Sequence, residues 1–365
     1  MNTPEKTMTH WTALPEGARR RAAGAFCAAM LLLAAAGCQT PAHPAQRLSR
    51  YPGFQAASLV SRVKPADAAI IDRAHRTNLA YGMDIRPKTV APNHPILAVM
   101  REVLAGLPPQ VRRLTGRHLA ALYLLRDDFG TAGIEGIEDE RGQWRHGYIV
   151  LNASALEQTA NAWATWKENS AFRPAKGYRL SVQIERAGED GQTGAVRFIV
   201  LHELGHLLGL ALKVHSYWEN PKPPPPERYP FSRLSWRKAS DGKTVSRWRK
   251  RFPRLHQARF YRFAKAPFSL TEMETVYGML SRTNFPSLYG ATNLYDDFAE
   301  AFAIYVHTRL LGKPYRVTLT RDGKVVGSFR SCLQTGKCPE KAAFLRSLLE
   351  GPWKVAKKFQ SKRKP

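Results

Sequence analysis

His202-Glu203-Leu204-Gly205-His206 decides how this chain is read. The pentapeptide lies inside the apolar run Gly194-Ala-Val-Arg-Phe-Ile-Val-Leu-His-Glu-Leu-Gly-His-Leu-Leu-Gly-Leu210, a pattern that predicts a buried helix. Residues four apart share a helical face, so both imidazoles can reach one metal ion. Glu203 stands one step round the helix, beside the water such an ion would polarise. Zn²⁺ lowers the pKa of that water to roughly 7, and a carboxylate can then take its proton as it attacks a carbonyl. The competing reading is a core helix carrying two satisfied histidines. It has to find partners for three buried polar groups.

A catalytic zinc takes three protein ligands and keeps one position open. A His ten residues after the first would complete a metzincin set, but that position is Leu212. His215 comes three residues too late and is expected to be a polar group at the helix end. The remaining source is a carboxylate on a separate helix. The segment from Phe285 to Phe302 supplies Asp296 and Glu300, four apart on a helix that opens at Asn293, with Ala299 and Ala303 beside them. Small neighbours let two helices approach closely. One acid would bind the cation while the other accepts the second N–H of a ligating imidazole and fixes its tautomer.

Within that segment, Ser287-Leu-Tyr-Gly-Ala-Thr-Asn293 and Asp297-Phe-Ala-Glu-Ala-Phe302 resemble the anthrax lethal factor catalytic-domain family, thermolysin-like (gluzincin) zinc metallopeptidases. Leu107-Pro-Pro109, the strands and the HExxH run follow the same order there, and the resemblance spans roughly residues 95 to 311. It implies an α+β zincin domain, with a small sheet preceding the HExxH helix and one Zn²⁺. His202 and His206 would be ligands and Glu203 the base. Tyr289 would donate a hydrogen bond to the developing oxyanion. The family's metal-binding Glu falls on Asp296, and its supporting acid on Glu300. Asp is one carbon shorter than Glu, so Glu300 is the alternative third ligand if Asp296 falls short.

Residues 1–37 read as a targeting segment. Arg19-Arg20-Arg21 precede the apolar stretch Ala22 to Ala36, which is shorter than the roughly 20 residues of a spanning helix. Ala35-Ala36-Gly37-Cys38 resembles a bacterial lipoprotein lipobox. The resemblance implies cleavage before Cys38, acylation of its thiol and anchoring in a membrane. Gln39 after the cysteine favours the outer membrane, facing the periplasm. In such an exported chain the remaining pair, Cys332 and Cys338, is expected to form one disulfide.

The formal net charge is +27, an excess that attracts polyanions. In a cell envelope these are lipid headgroups, lipopolysaccharide or wall polymers, and the targeting segment argues against nucleic acid. The basic residues crowd into an insertion, 220–267. It begins with the stiff run Lys222-Pro-Pro-Pro-Pro-Glu227, and Arg228 to Lys265 holds thirteen Lys/Arg against the single acid Asp241. Trp236, Trp248, Phe252, Phe260, Tyr261 and Phe263 are interleaved. They either stack on a polyanion or pack on the domain beneath a solvated surface.

The chain thus divides into a signal peptide (1–37), a tether (38–65), a metallopeptidase-like domain (66–311) interrupted by the insertion, a C-terminal hairpin, clamp and helix (312–350), and a basic tail (351–365). Strands are expected at 118–125, 146–152 and 178–186, capped helices at Ser269 and Asn293, and a hairpin around Asp322-Gly323. Two functional classes follow. One is an envelope-anchored zinc peptidase acting on a protein or peptide; the other is a non-catalytic lipoprotein that binds an anionic polymer through residues 228–265.

Overall fold

The computed structural model describes residues 43–351 apart from Glu219 and Pro221. The expected signal peptide, the expected lipid site Cys38 and the basic tail beyond residue 351 lie outside the described residues.

The first half of the chain builds a mixed sheet. β1 (Val63–Pro65) is followed by α1 (Ala68–Ala80), β2 (Lys88–Thr89), α2 (Pro95–Ala105) and α3 (Pro109–His118). Then come β3 (Leu119–Arg126), β4 (Ala132–Glu138) and β5 (Trp144–Asn152). The order is β1-β3-β5-β4, with β2 beside the end of β3. β1, β3 and β5 run parallel, and β4 is an antiparallel edge. β3 is buried along all but its last residue, as an apolar run in a parallel sheet covered on both faces must be.

One cover is the segment expected to be a tether. From residue 43 to 65 it is folded, and that expectation is corrected. Its Pro, Ser and Arg content resembles a loop, but Tyr51 and Phe54 bury against the sheet beside Ile70, Tyr123 and Tyr148. Arg62 fastens it further by donating to the carbonyls of Ala57, Gly116 and Leu119.

The other face carries the second half. α4 (Ala160–Asn169), β6 (Phe172–Arg173) and β7 (Tyr178–Gln183) lead into α5 (Gln192–Ala211), which packs on β4 and β5. α5 is long and apolar enough to cross a membrane, yet it is buried inside the fold. The insertion adds a short hairpin, β8 (Trp236–Lys238) and β9 (Thr244–Ser246), and ends at β10 (Phe268–Ser269), which pairs with β6. A capping box between Ser269 and Glu272 precedes α6 (Met273–Leu280). α7 (Leu294–Tyr305) then crosses α5 and continues as a π-helical turn over Val306–Leu310.

The C-terminal unit is continuous with this core. β11 (Arg316–Arg321) and β12 (Lys324–Arg330) turn on Asp322 and Gly323, both at positive φ, as a two-residue hairpin loop requires. β11 pairs with β7, so the hairpin and that strand form a separate three-stranded sheet that ties the C-terminal unit to the preceding one. α8 (Cys332–Thr335) and α9 (Pro339–Glu350) follow, and the Cys332–Cys338 disulfide is formed. One hydrophobic core runs from Leu59 to Leu349. The architecture is α+β.

Phe231, Trp236, Phe252 and Phe260 of the insertion are buried in that core. Trp236 Nε1 donates to Asp297 Oδ2 at 2.9 Å, and Trp248 Nε1 donates to Asn284 Oδ1 at 2.8 Å. Packing accounts for these aromatics, while the cations around them face solvent. Tyr261, 42% exposed, is the exception.

Candidate metal centre

The centre forms where α5 and α7 cross. Gly205 makes the crossing possible, because a Cβ there would lie 2.6 Å from Ala299 Cα. α7 begins at Asn293, whose side-chain oxygen accepts from the backbone N–H of Tyr295 and Asp296, both at 2.9 Å. The same amide donates to Asp296 Oδ2 at 2.6 Å, and Thr292 Oγ1, whose one hydrogen is shared with Tyr289 O at 2.7 Å, lies 3.2 Å from that oxygen. With Oδ2 held chiefly by Asn293, Oδ1 is left to face α5.

There it meets the two imidazoles. Nε2 of His202 and Nε2 of His206 are 3.0 Å apart. Asp296 Oδ1 lies 3.3 Å from Nε2 of His206 and 3.7 Å from Nε2 of His202. Tetrahedral bonds of 2.0–2.1 Å place neighbouring ligand atoms about 3.3–3.4 Å apart, so these separations fit one small cation with a fourth position open. Two ring nitrogens converging on each other and on a carboxylate oxygen also leave an excess of acceptors, which a cation or a proton must satisfy. Among the described residues these three, half-buried to buried, form a group that could hold a metal ion. Despite its shorter side chain, Asp296 is the acid that joins it.

Glu300 sits behind the ring of His202. Its Oε1 is 3.0 Å from Nδ1 of His202, close enough for a hydrogen bond but off the line of one. Lys167 Nζ donates to the same oxygen at 2.8 Å, and Ser287 Oγ donates to Oε2 at 2.6 Å. Burial pushes the Glu300 carboxyl up, but Lys167, together with His202, outweighs that and holds it well below the usual carboxylate range. Glu300 is therefore an anion placed to orient His202.

Glu203, on the same helix, is 8% exposed, and no donor among the described residues is bonded to its carboxylate. The half-buried ring of Tyr289 lies 5.6 Å from that of His202, with Lys167 Nζ 4.2 Å from its centroid and Phe260 4.7 Å away. Burial first, then the Asp296 carboxylate, push its phenol well above the ordinary value, so it remains a protonated donor. His215 stays outside the centre. Its ring fills the space beside Gly209, where a Cβ would meet its Nε2 at 2.3 Å. Nδ1 bonds Ser216 O at 2.9 Å, and burial pushes the imidazole down to about 4.

Sequence reasoning did not single out Lys167, Ser287, Thr292 or Asn293 as parts of the centre. The last three lie in the stretch that carried the family resemblance, where Asn293 was read only as a helix start. Lys167 gave no signal, because an amphipathic helix normally turns its lysines to water. No family model matches the chain, and no curated protein or solved structure matches it either.

Proposed function

We propose that this chain is a zinc-dependent peptidase of the thermolysin-like class, held at the bacterial envelope by lipid on Cys38. The observation that supports it best is the set of 3.0, 3.3 and 3.7 Å separations among His202, His206 and Asp296. Held by those three residues, Zn²⁺ would polarise a water and the carbonyl of a peptide. Glu203, free of donors among the described residues, takes the proton of the attacking water and returns it to the leaving amine. Tyr289 donates its O–H to the carbonyl oxygen as that atom gains charge. Glu300 favours the tautomer of His202 with the proton on Nδ1, which leaves the Nε2 lone pair for the cation. Asn293 keeps Asp296 from turning its free oxygen away.

The test is metal content and hydrolysis by the purified mature chain. About one zinc per chain is expected. Asp296→Ala should lose it, and Glu300→Ala should bind zinc about 10–100-fold more weakly. Glu203→Gln should keep both fold and zinc while losing peptide hydrolysis. Hydrolysis that survives Glu203→Gln, or a wild-type chain that holds no zinc, excludes this function. The exposed cations of the insertion support a compatible second role, the electrostatic capture of an anionic envelope polymer, read out as binding that weakens steeply with salt.

A further inference from the structure

The insertion brings a second tyrosine toward the centre. Tyr261 has φ +59 and Phe263 has φ +47, a left-handed conformation that non-glycine residues rarely adopt. Both are held there by one buried residue at the end of α4. Ser170 Oγ accepts from the N–H of Tyr261 at 2.8 Å, and Ser170 O accepts from the N–H groups of Arg262 and Phe263 at 3.0 and 2.9 Å. The same hydroxyl donates to Lys167 O at 2.5 Å. The strap is therefore fastened to the helix whose lysine supports Glu300.

What this arrangement presents is a ring beside the centre. Tyr261 lies 6.4 Å from Tyr289 and 5.7 Å from Trp166, yet remains 42% exposed. Among the described residues it is the one large aromatic left so open, and its hydroxyl has no protein partner there. Burial first, then the carboxylates of Asp296, Glu300 and Glu203, push that phenol well above its ordinary value, so it stays a donor. The ring packs on Trp166 and Tyr289 along one side only, and the strained backbone leaves the rest of it open. Such strain clusters where a side chain must meet a ligand.

We infer that Tyr261 is a substrate-binding residue whose hydroxyl donates to a backbone carbonyl of the bound peptide next to the scissile bond, alongside Tyr289. The inference rests on the peptidase reading and adds to it a peptide-backbone contact supplied by the insertion.

Two probes separate the claims: acetohydroxamate, which reaches only the cation, and N-acetylglycine hydroxamate, which adds one amide carbonyl. Both are titrated by calorimetry into the zinc-loaded mature chain. The wild type should bind the second probe about five- to tenfold more tightly, the gain of one hydrogen bond. Tyr261→Phe should erase that difference while leaving acetohydroxamate affinity, zinc content and Tm unchanged. Tyr289→Phe should weaken both probes. If Tyr261→Phe keeps the difference, or the wild type shows none, Tyr261 does not contact the ligand and the peptidase reading stands. If the wild type holds no zinc or binds neither probe, the peptidase reading falls and this inference falls with it.

Discussion

Two regions border the centre, and they are built in opposite ways. At the crossing of α5 and α7, glycine meets alanine backbone to backbone, the ligands project from helices, and the spare oxygens of both acids are tied. The insertion is made of turns and three-residue strands, held by a few polar anchors: Trp236 on Asp297, Trp248 on Asn284, and three N–H groups on Ser170. Coordination tolerates errors of only a few tenths of an ångström, so it belongs on rigid elements. A segment that grips a varied ligand has no such constraint, and this one places its charge and its one open ring toward solvent.

The sharpest way to break this contrast is at the residue that joins the two regions. Lys341 is fully buried and bonded to Asp297, which also takes the Trp236 N–H. Lys341→Met leaves a buried carboxylate without its cation and should cost about 3–5 kcal/mol in urea unfolding. A loss below 1 kcal/mol would mean that water already reaches the pair. Next comes Gly205→Ala, which pushes α5 away from Ala299. It should cost about 1–3 kcal/mol and, unlike Lys341→Met, should weaken zinc binding more than tenfold when measured by competition with a chelator. Unchanged zinc affinity would show that the crossing does not set the geometry.

Ser170→Ala loosens the strap and frees one carbonyl at the end of α4, without touching His202, His206 or Asp296. Removing the acceptor for the Tyr261 N–H should cost about 1 kcal/mol and leave zinc content intact. A loss of zinc would erase the proposed separation between scaffold and strap. The smallest effect is expected from Arg249→Ser, Lys250→Ser and Arg251→Ser together. All three cations are exposed, so each change should alter stability by less than about 0.5 kcal/mol. Binding to vesicles rich in anionic lipid should nevertheless weaken, and identical binding at low and high salt would exclude an electrostatic role.

What could be read from the sequence followed the strength of local signals. The His202 helix, the Asn293 start, the Ser269 capping box and the Asp322-Gly323 turn each carry their own chemistry, and each lies where expected. β4 escaped notice because Gly133 and Gly136 interrupt its apolar pattern. α4 escaped because two tryptophans among small and polar residues make a weak helical period. With α4 went Lys167 and Ser170, so the part of the site that neutralises Glu300 and fastens the strap was not legible. Residues 43–65 misled by composition, since a few buried rings and one arginine fix a segment that otherwise resembles a linker. Which of the two acids reaches the imidazoles depended on a long-range approach between helices. The spacing of Asp296 and Glu300 left that choice open.

Asn293 sets two things at once, the residue at which α7 begins and the direction in which Asp296 points. Sliding α7 by one residue against α5 would turn the carboxylate about 100° away from the imidazoles, and losing the Asn293 cap would break the bond that aims it. Asp296 therefore cannot be re-aimed on its own: its free oxygen stays turned to the imidazoles only while Asn293 holds the other one.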